Sequence, residues 1–200
     1  MLALPAAPTP ERKHSLLVGT SFGVAAGAAA FAGLLGTYLV ARQHTLDALR
    51  EAGKAVHFLP NGVSIPGIPA NIMLFIFVGT SVMAQWAVYA IRRGARRHTA
   101  LAIGLVFIFG VAVINLQVAV YRALDVGLTS SPFATLFFTV TGAFMIAVLV
   151  GLVFAVVTAF RSLGGRYAAT DTDGVAAFAL YWHFLTVAFV AVWFIVYVNK

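Results

Sequence analysis

Five apolar runs set the terms for this chain. They lie near 15–41, 70–91, 99–121, 132–160 and 175–198. Each is about as long as the ~20 residues that carry an α-helix across a bilayer core. Only 10% of the residues are charged, against about 25% in an ordinary soluble domain. A soluble fold this apolar would expose large greasy patches and aggregate. The runs therefore predict an all-α integral membrane protein: one domain over residues 1–200, built as a bundle of five transmembrane helices. The first run follows Arg12, Lys13 and His14. It far exceeds the ~7–15 apolar residues of a signal peptide, so it reads as a retained span.

Local punctuation supports the spans. Pro69 and Pro132 stand near helix starts, where proline is tolerated, and Ser131 is a good N-cap before Pro132. Gly94, Gly127 and Gly164-Gly165 follow predicted helix ends. Asp171 and Asp173 precede the fifth span, where a helix N-terminus favours negative charge. Arg92, Arg93, Arg96 and Arg97 crowd the second loop, which the positive-inside rule places in the cytoplasm. Arg12, Lys13, Arg161 and Arg166 then also fall inside. Arg42, Arg50, Lys54, Arg122 and Lys200 fall outside, so the N-terminus is expected inside and the C-terminus outside. In the first loop, 42–69, Thr45 reads as the cap of a short amphipathic helix resting on the membrane. Leu46, Leu49, Gly53 and Val56 share its apolar face.

Residue types exclude several chemistries. The net charge of +7 comes from basic residues clustered between apolar runs, with no solvated domain to carry a nucleic-acid site. The chain has no cysteine, which removes disulfides, iron–sulfur clusters and thiolate copper sites. Glu11, Asp47, Glu51, Asp125, Asp171 and Asp173 all lie outside the spans, and a proton relay or ion-coupled transporter generally needs a buried ionisable group. His183, in Tyr181-Trp182-His183-Phe184, is the one histidine well inside a span. A bis-histidine haem needs two.

His183 is expected to be a neutral side chain packed between helices, with Thr186 one turn away as its partner. The functional alternative is a contact to a lipid headgroup or a partner subunit. Tyr181 and Trp182 read as interfacial aromatics, with Trp193 and Tyr197 as the matching belt at the other end. Gln85, Asn115 and Gln117 are intramembrane amides that bond across helix pairs, and Gln117 shares a face with Tyr121. Gly23 and Gly27 form a small-xxx-small pair that permits close helix approach. By physics alone this is a five-helix scaffold with no redox centre of its own, and a small transporter remains as an alternative.

Taken together, these local patterns resemble one family. Tyr181-Trp182-His183-Phe184 is similar to the opening of the last helix in subunit III of haem–copper oxidases, the cytochrome c oxidase family. Residues 131–151, SPFATLFFTVTGAFMIAVLVG, resemble its penultimate helix. Phe31-Ala32-Gly33-Leu34 with Tyr38 and Arg42 resembles the first helix of the five-helix bacterial form, and Gln117 and Tyr121 match a family Gln and Tyr. The resemblance implies a non-catalytic accessory subunit in a bacterial inner membrane. It implies contact with subunits I and II, which hold the haem and copper, with phospholipids, and with a respiratory supercomplex. It implies no catalytic, cofactor or metal residue in this chain. Contacts to lipid or subunits would fall to His183, Trp182, Tyr181, Gln117, Tyr121, Gly23 and Gly27. Alternatives are the related accessory subunit of a nitric oxide reductase and a haem-anchoring subunit of another respiratory complex.

The departures from the family pattern are systematic. Two family histidines fall on Phe144 and Ala147, an acidic residue near Gly27, a Glu on Val120 and an Asp on Thr186. They bear on lipid-headgroup binding and assistance to proton uptake, the roles that rest on those groups.

Overall fold

The computed structural model describes residues 14–60 and 62–199. The expectations placed on Glu11, Arg12, Lys13 and Lys200 lie outside the described residues. Among the described residues five helices are long and apolar enough to cross a membrane: α1 (Ser15–Glu51), α2 (Gly67–Arg92), α3 (Arg96–Leu124), α4 (Pro132–Leu163) and α5 (Asp173–Val192). A π-helical stretch, Trp193–Val198, continues α5.

The starts and stops are local chemistry. The Ser131 side chain accepts from the Ala134 amide at 3.1 Å, with Pro132 as the first helical residue of α4. That is the cap the sequence predicts. Gly53, Gly94 and Gly165 have φ of 61°, 72° and 73°. Each closes a helix with the paired 6→1 and 5→2 bonds of a Schellman motif. After α2, for example, the Ala95 amide reaches the Ala90 carbonyl at 3.0 Å and the Gly94 amide reaches Ile91 at 2.8 Å. Gly127 does not serve this way. α3 stops at Leu124, and Asp125 takes the left-handed turn with φ of 45°. Pro69 is the third residue of α2 rather than the first.

One span differs more substantially. The amphipathic segment after residue 41 is no separate surface helix but the continuation of α1. Thr45 does not cap it. Its hydroxyl donates to the Ala41 carbonyl at 2.8 Å, within the helix. Nothing between 41 and 51 is Gly or Pro, so no residue breaks the ladder, and Arg50 pairs with Asp47 at 2.8 Å across one turn. At 1.5 Å per residue the 37-residue helix is about 55 Å long, well beyond a ~30 Å hydrocarbon core.

α5 is the centre of the bundle. It packs against α1, α2 and α4, while α2 also lines α3 and α3 lines α4. The N-terminal ends of α1 and α5 meet, where His14 Nδ1 lies 2.8 Å from Asp173 Oδ1. The turns α2–α3 and α4–α5 share this end, since the Arg96 guanidinium leans on Gly165. We call it the basic end. The mid-bundle core is aromatic. Phe77, Phe144 and Phe189 stack within 4.8–5.4 Å of one another, and Phe31 meets Phe144 edge-on at 5.8 Å.

Candidate functional site

The four residues that open the apolar core of α5 point in four directions. Consecutive helical residues are about 100° apart, so Tyr181, Trp182, His183 and Phe184 reach different neighbours. Trp182 is wholly buried, its ring wedged between Gly110 of α3 and Gly151 of α4. A Cβ at either glycine would lie 3.0 Å from the indole. This corrects the interfacial reading. The glycines make a slot that a tryptophan fills, and its Nε1 has no partner among the described residues. Tyr181 is half-buried, its hydroxyl donating to the Ala147 carbonyl at 2.9 Å. Phe184 lies against Gly27 of α1, where a Cβ would meet the ring at 2.9 Å. Gly27 thus makes a close contact inside the chain, while Gly23 faces open space.

His183 points at α2. Its Nδ1 lies 2.6 Å from Ser81 Oγ and its Nε2 3.2 Å from Gln85 Oε1. An amide oxygen only accepts, so Nε2–H donates to Gln85 and Nδ1 accepts the Ser81 hydroxyl. Both ring nitrogens are satisfied by a neutral imidazole. Thr186 is not the partner. Its hydroxyl lies 3.2 Å from the Phe77 carbonyl and 3.0 Å from that of Trp182. The ring reaches across to α2 because that is where two complementary groups stand at i and i+4 on one face.

A second polar cluster lies toward the other end of the bundle. Tyr197 donates to Gln117 Oε1 at 2.9 Å, and Tyr121 donates to Thr141 at 2.8 Å. Gln117 Nε2 is buried with no partner among the described residues. Tyr197 is therefore a core residue, not part of an aromatic belt. Trp193 does sit partly exposed, its ring N–H donating to Asn71 at 2.9 Å. Ser81 and Asn71 carry no signal in the sequence that marks them as partners. An apolar span makes every hydroxyl or amide look like a candidate without naming its partner.

The positions where the resembling family has ionisable groups are filled by packing. Phe144 is in the aromatic core, and Val120 is fully buried. Ala147 offers only its carbonyl, to Tyr181. Among the described residues no three His, Cys, Asp or Glu side chains cluster so as to hold a metal ion.

A family model for cytochrome c oxidase subunit III matches residues 16–200. The chain is 28% identical over 139 residues to cytochrome c oxidase subunit 3 of Damaliscus lunatus, covering 70% of this chain and 50% of that protein. It is 29% identical over 143 residues to the protein of that name in Neotragus moschatus, covering 70% and 53%. For Bos taurus the identity is 27% over 139 residues, covering 70% and 50%. The chain thus matches these relatives over about half their length.

Proposed function

Because this chain belongs to the cytochrome c oxidase subunit III family, we propose that it is a non-catalytic accessory subunit of a respiratory haem–copper terminal oxidase. The observation that carries this reading is the family match over residues 16–200 on a chain with five membrane-spanning helices. In this reading the chain packs against subunit I, beside subunit II, in a bacterial inner membrane. It slows inactivation of the catalytic subunit and holds phospholipids between its helices. Haem and copper reside in the partners, which pass electrons from cytochrome c to oxygen. The N-terminus and basic end face the cytoplasm, and the C-terminus faces outward.

The interior supports a scaffold role. The Ser81–His183–Gln85 links tie α5 to α2, and the aromatic core ties both to α1 and α4. Each polar link of this kind is worth about 1 kcal/mol or less in a membrane. The large exposed face of α1, which includes Gly23, is the surface we assign to a partner subunit.

Purification of the tagged chain in mild detergent, followed by mass spectrometry, tests the proposal. The expected companions are a haem-bearing subunit I and a subunit II with a binuclear copper centre. An intact chain that arrives with a different respiratory complex overturns the reading, as does substrate flux from the lone chain in proteoliposomes.

A further inference from the structure

The α2–α3 hairpin ends in a groove that is apolar at one side and cationic at the other. Two cavities meet there, of about 250 and 520 Å³, sharing Ala95 and His98. The smaller is walled by Trp86 and Tyr89, which are 36% and 52% exposed on the outside of α2, with Arg93 at its rim. The Trp86 and His98 rings stand 6.5 Å apart across it. The larger is lined by Arg96 and Arg97 and closed by Ala168 and Ala169 of the α4–α5 connection. The Arg96 guanidinium lies against Gly165 of that connection: a Cβ there would come within 3.0 Å of its Nη1.

Among the described residues neither Arg93, Arg96 nor Arg97 has an ion-pair or hydrogen-bond partner, and Asp171 and Asp173 are not paired with them. The first amides of α3 add to the field, since no side chain caps that helix. A cationic rim above an aromatic wall, at the end of two membrane-spanning helices, is amphipathic in the direction of the membrane normal. In a bilayer crossed by α2 and α3, the rim at the helix ends would stand nearer the surface than the aromatic wall. Tryptophan and tyrosine favour that boundary, and guanidinium groups favour paired contact with phosphate.

We infer that this groove binds one anionic glycerophospholipid, its phosphate between Arg93, Arg97 and His98 and an acyl chain along Trp86 and Tyr89. The inference rests on the membrane disposition of α2 and α3 and on no partner subunit. A soluble phosphate would satisfy the rim but leave the aromatic wall bare.

The test uses the full-length chain, with whatever subunits accompany it, reconstituted in nanodiscs of equal dioleoyl phosphatidylglycerol and dioleoyl phosphatidylcholine. Native mass spectrometry reads the lipid retained on the chain itself, and the same spectrum shows which subunits are present. Loss of the oxidase assignment and loss of the lipid site are therefore separate outcomes. The expected result is one retained phosphatidylglycerol per chain. Arg93→Gln with Arg97→Gln lowers its retention about thirtyfold, at roughly tenfold or less per cationic group. Trp86→Ala lowers it further by acyl-chain contact. Arg122→Gln, at the opposite end, leaves it unchanged. Equal retention of both lipids overturns the inference, as does full retention in the double arginine variant. Displacement of the lipid by inorganic phosphate reassigns the rim to a soluble anion and also overturns it. So does photo-crosslinking from position 93 to a protein segment in place of lipid.

Discussion

Helices α1 and α5 look alike by hydropathy and are packed in opposite ways. Half of α5's most apolar stretch is buried within the chain, against 17% of α1's. α5 buries Phe178, Trp182, Leu185 and Phe189 at heptad-like spacing, whereas α1 buries only Phe31, Leu35 and Tyr38. Water would make this contrast visible, because a soluble protein turns its polar faces outward. Lipid erases it, since a chain-facing leucine and a lipid-facing leucine meet equally apolar surroundings. The distinction moves to shape. α5 carries large rings that enter slots made by glycines on its neighbours, Gly27 of α1 among them, while Gly19, Gly23, Gly33 and Gly36 of α1 face open space.

The contrast can be broken by substitution. Trp182→Ala empties the Gly110–Gly151 slot and is expected to cost about 3–5 kcal/mol, read by thermal unfolding of the chain in detergent. Phe22→Ala on the exposed face of α1 is the matched control and should stay within about 0.5 kcal/mol. Equal losses at the two sites would abolish the distinction. Phe144→His puts back a polar group where the family has one, but here it enters a ring of phenylalanines. A cost of about 1–3 kcal/mol is expected from desolvation, by the same unfolding measurement. His183→Ala removes two inter-helix bonds and should cost about 1 kcal/mol. It should leave the haem absorbance of the purified complex unchanged, and a lost haem band would make His183 a ligand rather than a brace. Gly33→Leu on α1 has nothing within 4 Å to strike, so the lone chain should unfold as before. Its co-purification with partner subunits is what should fall. Loss of stability without loss of partners would mean that α1 is packed inside the chain after all.

How much of this was readable from sequence follows the range of the forces involved. The spans, the Ser131–Pro132 cap and the glycine stops at Gly94 and Gly165 are set by neighbours a few positions away, and sequence states those neighbours. The continuation of α1 past residue 41 was legible in principle, because no breaker intervenes. Its change from apolar to amphipathic reads as a boundary, although composition can change along one unbroken helix. Trp182 and Tyr197 were placed at membrane interfaces, where amphipathic rings do collect. Gly110, Gly151 and Gln117 draw them inward instead, from 31 to 80 positions away in the chain. Ser81 and Gln85 escaped as partners of His183 for the same reason. One sequence shows which residues need a partner and not which helix supplies it.

The widened stretch at the end of α5 has a consequence for register. Burial along that helix steps through Val175, Phe178, Trp182, Leu185, Phe189, Val192 and Val196, alternating three and four residues. At Trp193–Val198 the turn widens, and the adjacent Tyr197 is buried together with Val196. In an ordinary α-helix two neighbours stand about 100° apart, and the adjacent pairs that α5 buries before Trp193 each include a glycine or an alanine. The wider turn brings them closer in angle, so a π segment lets one short arc of backbone deliver both an apolar plug and a hydroxyl to the same wall. A single period of three and four along α5 therefore places Val196 on the buried face and misses Tyr197, which the wider last turn adds to the same wall.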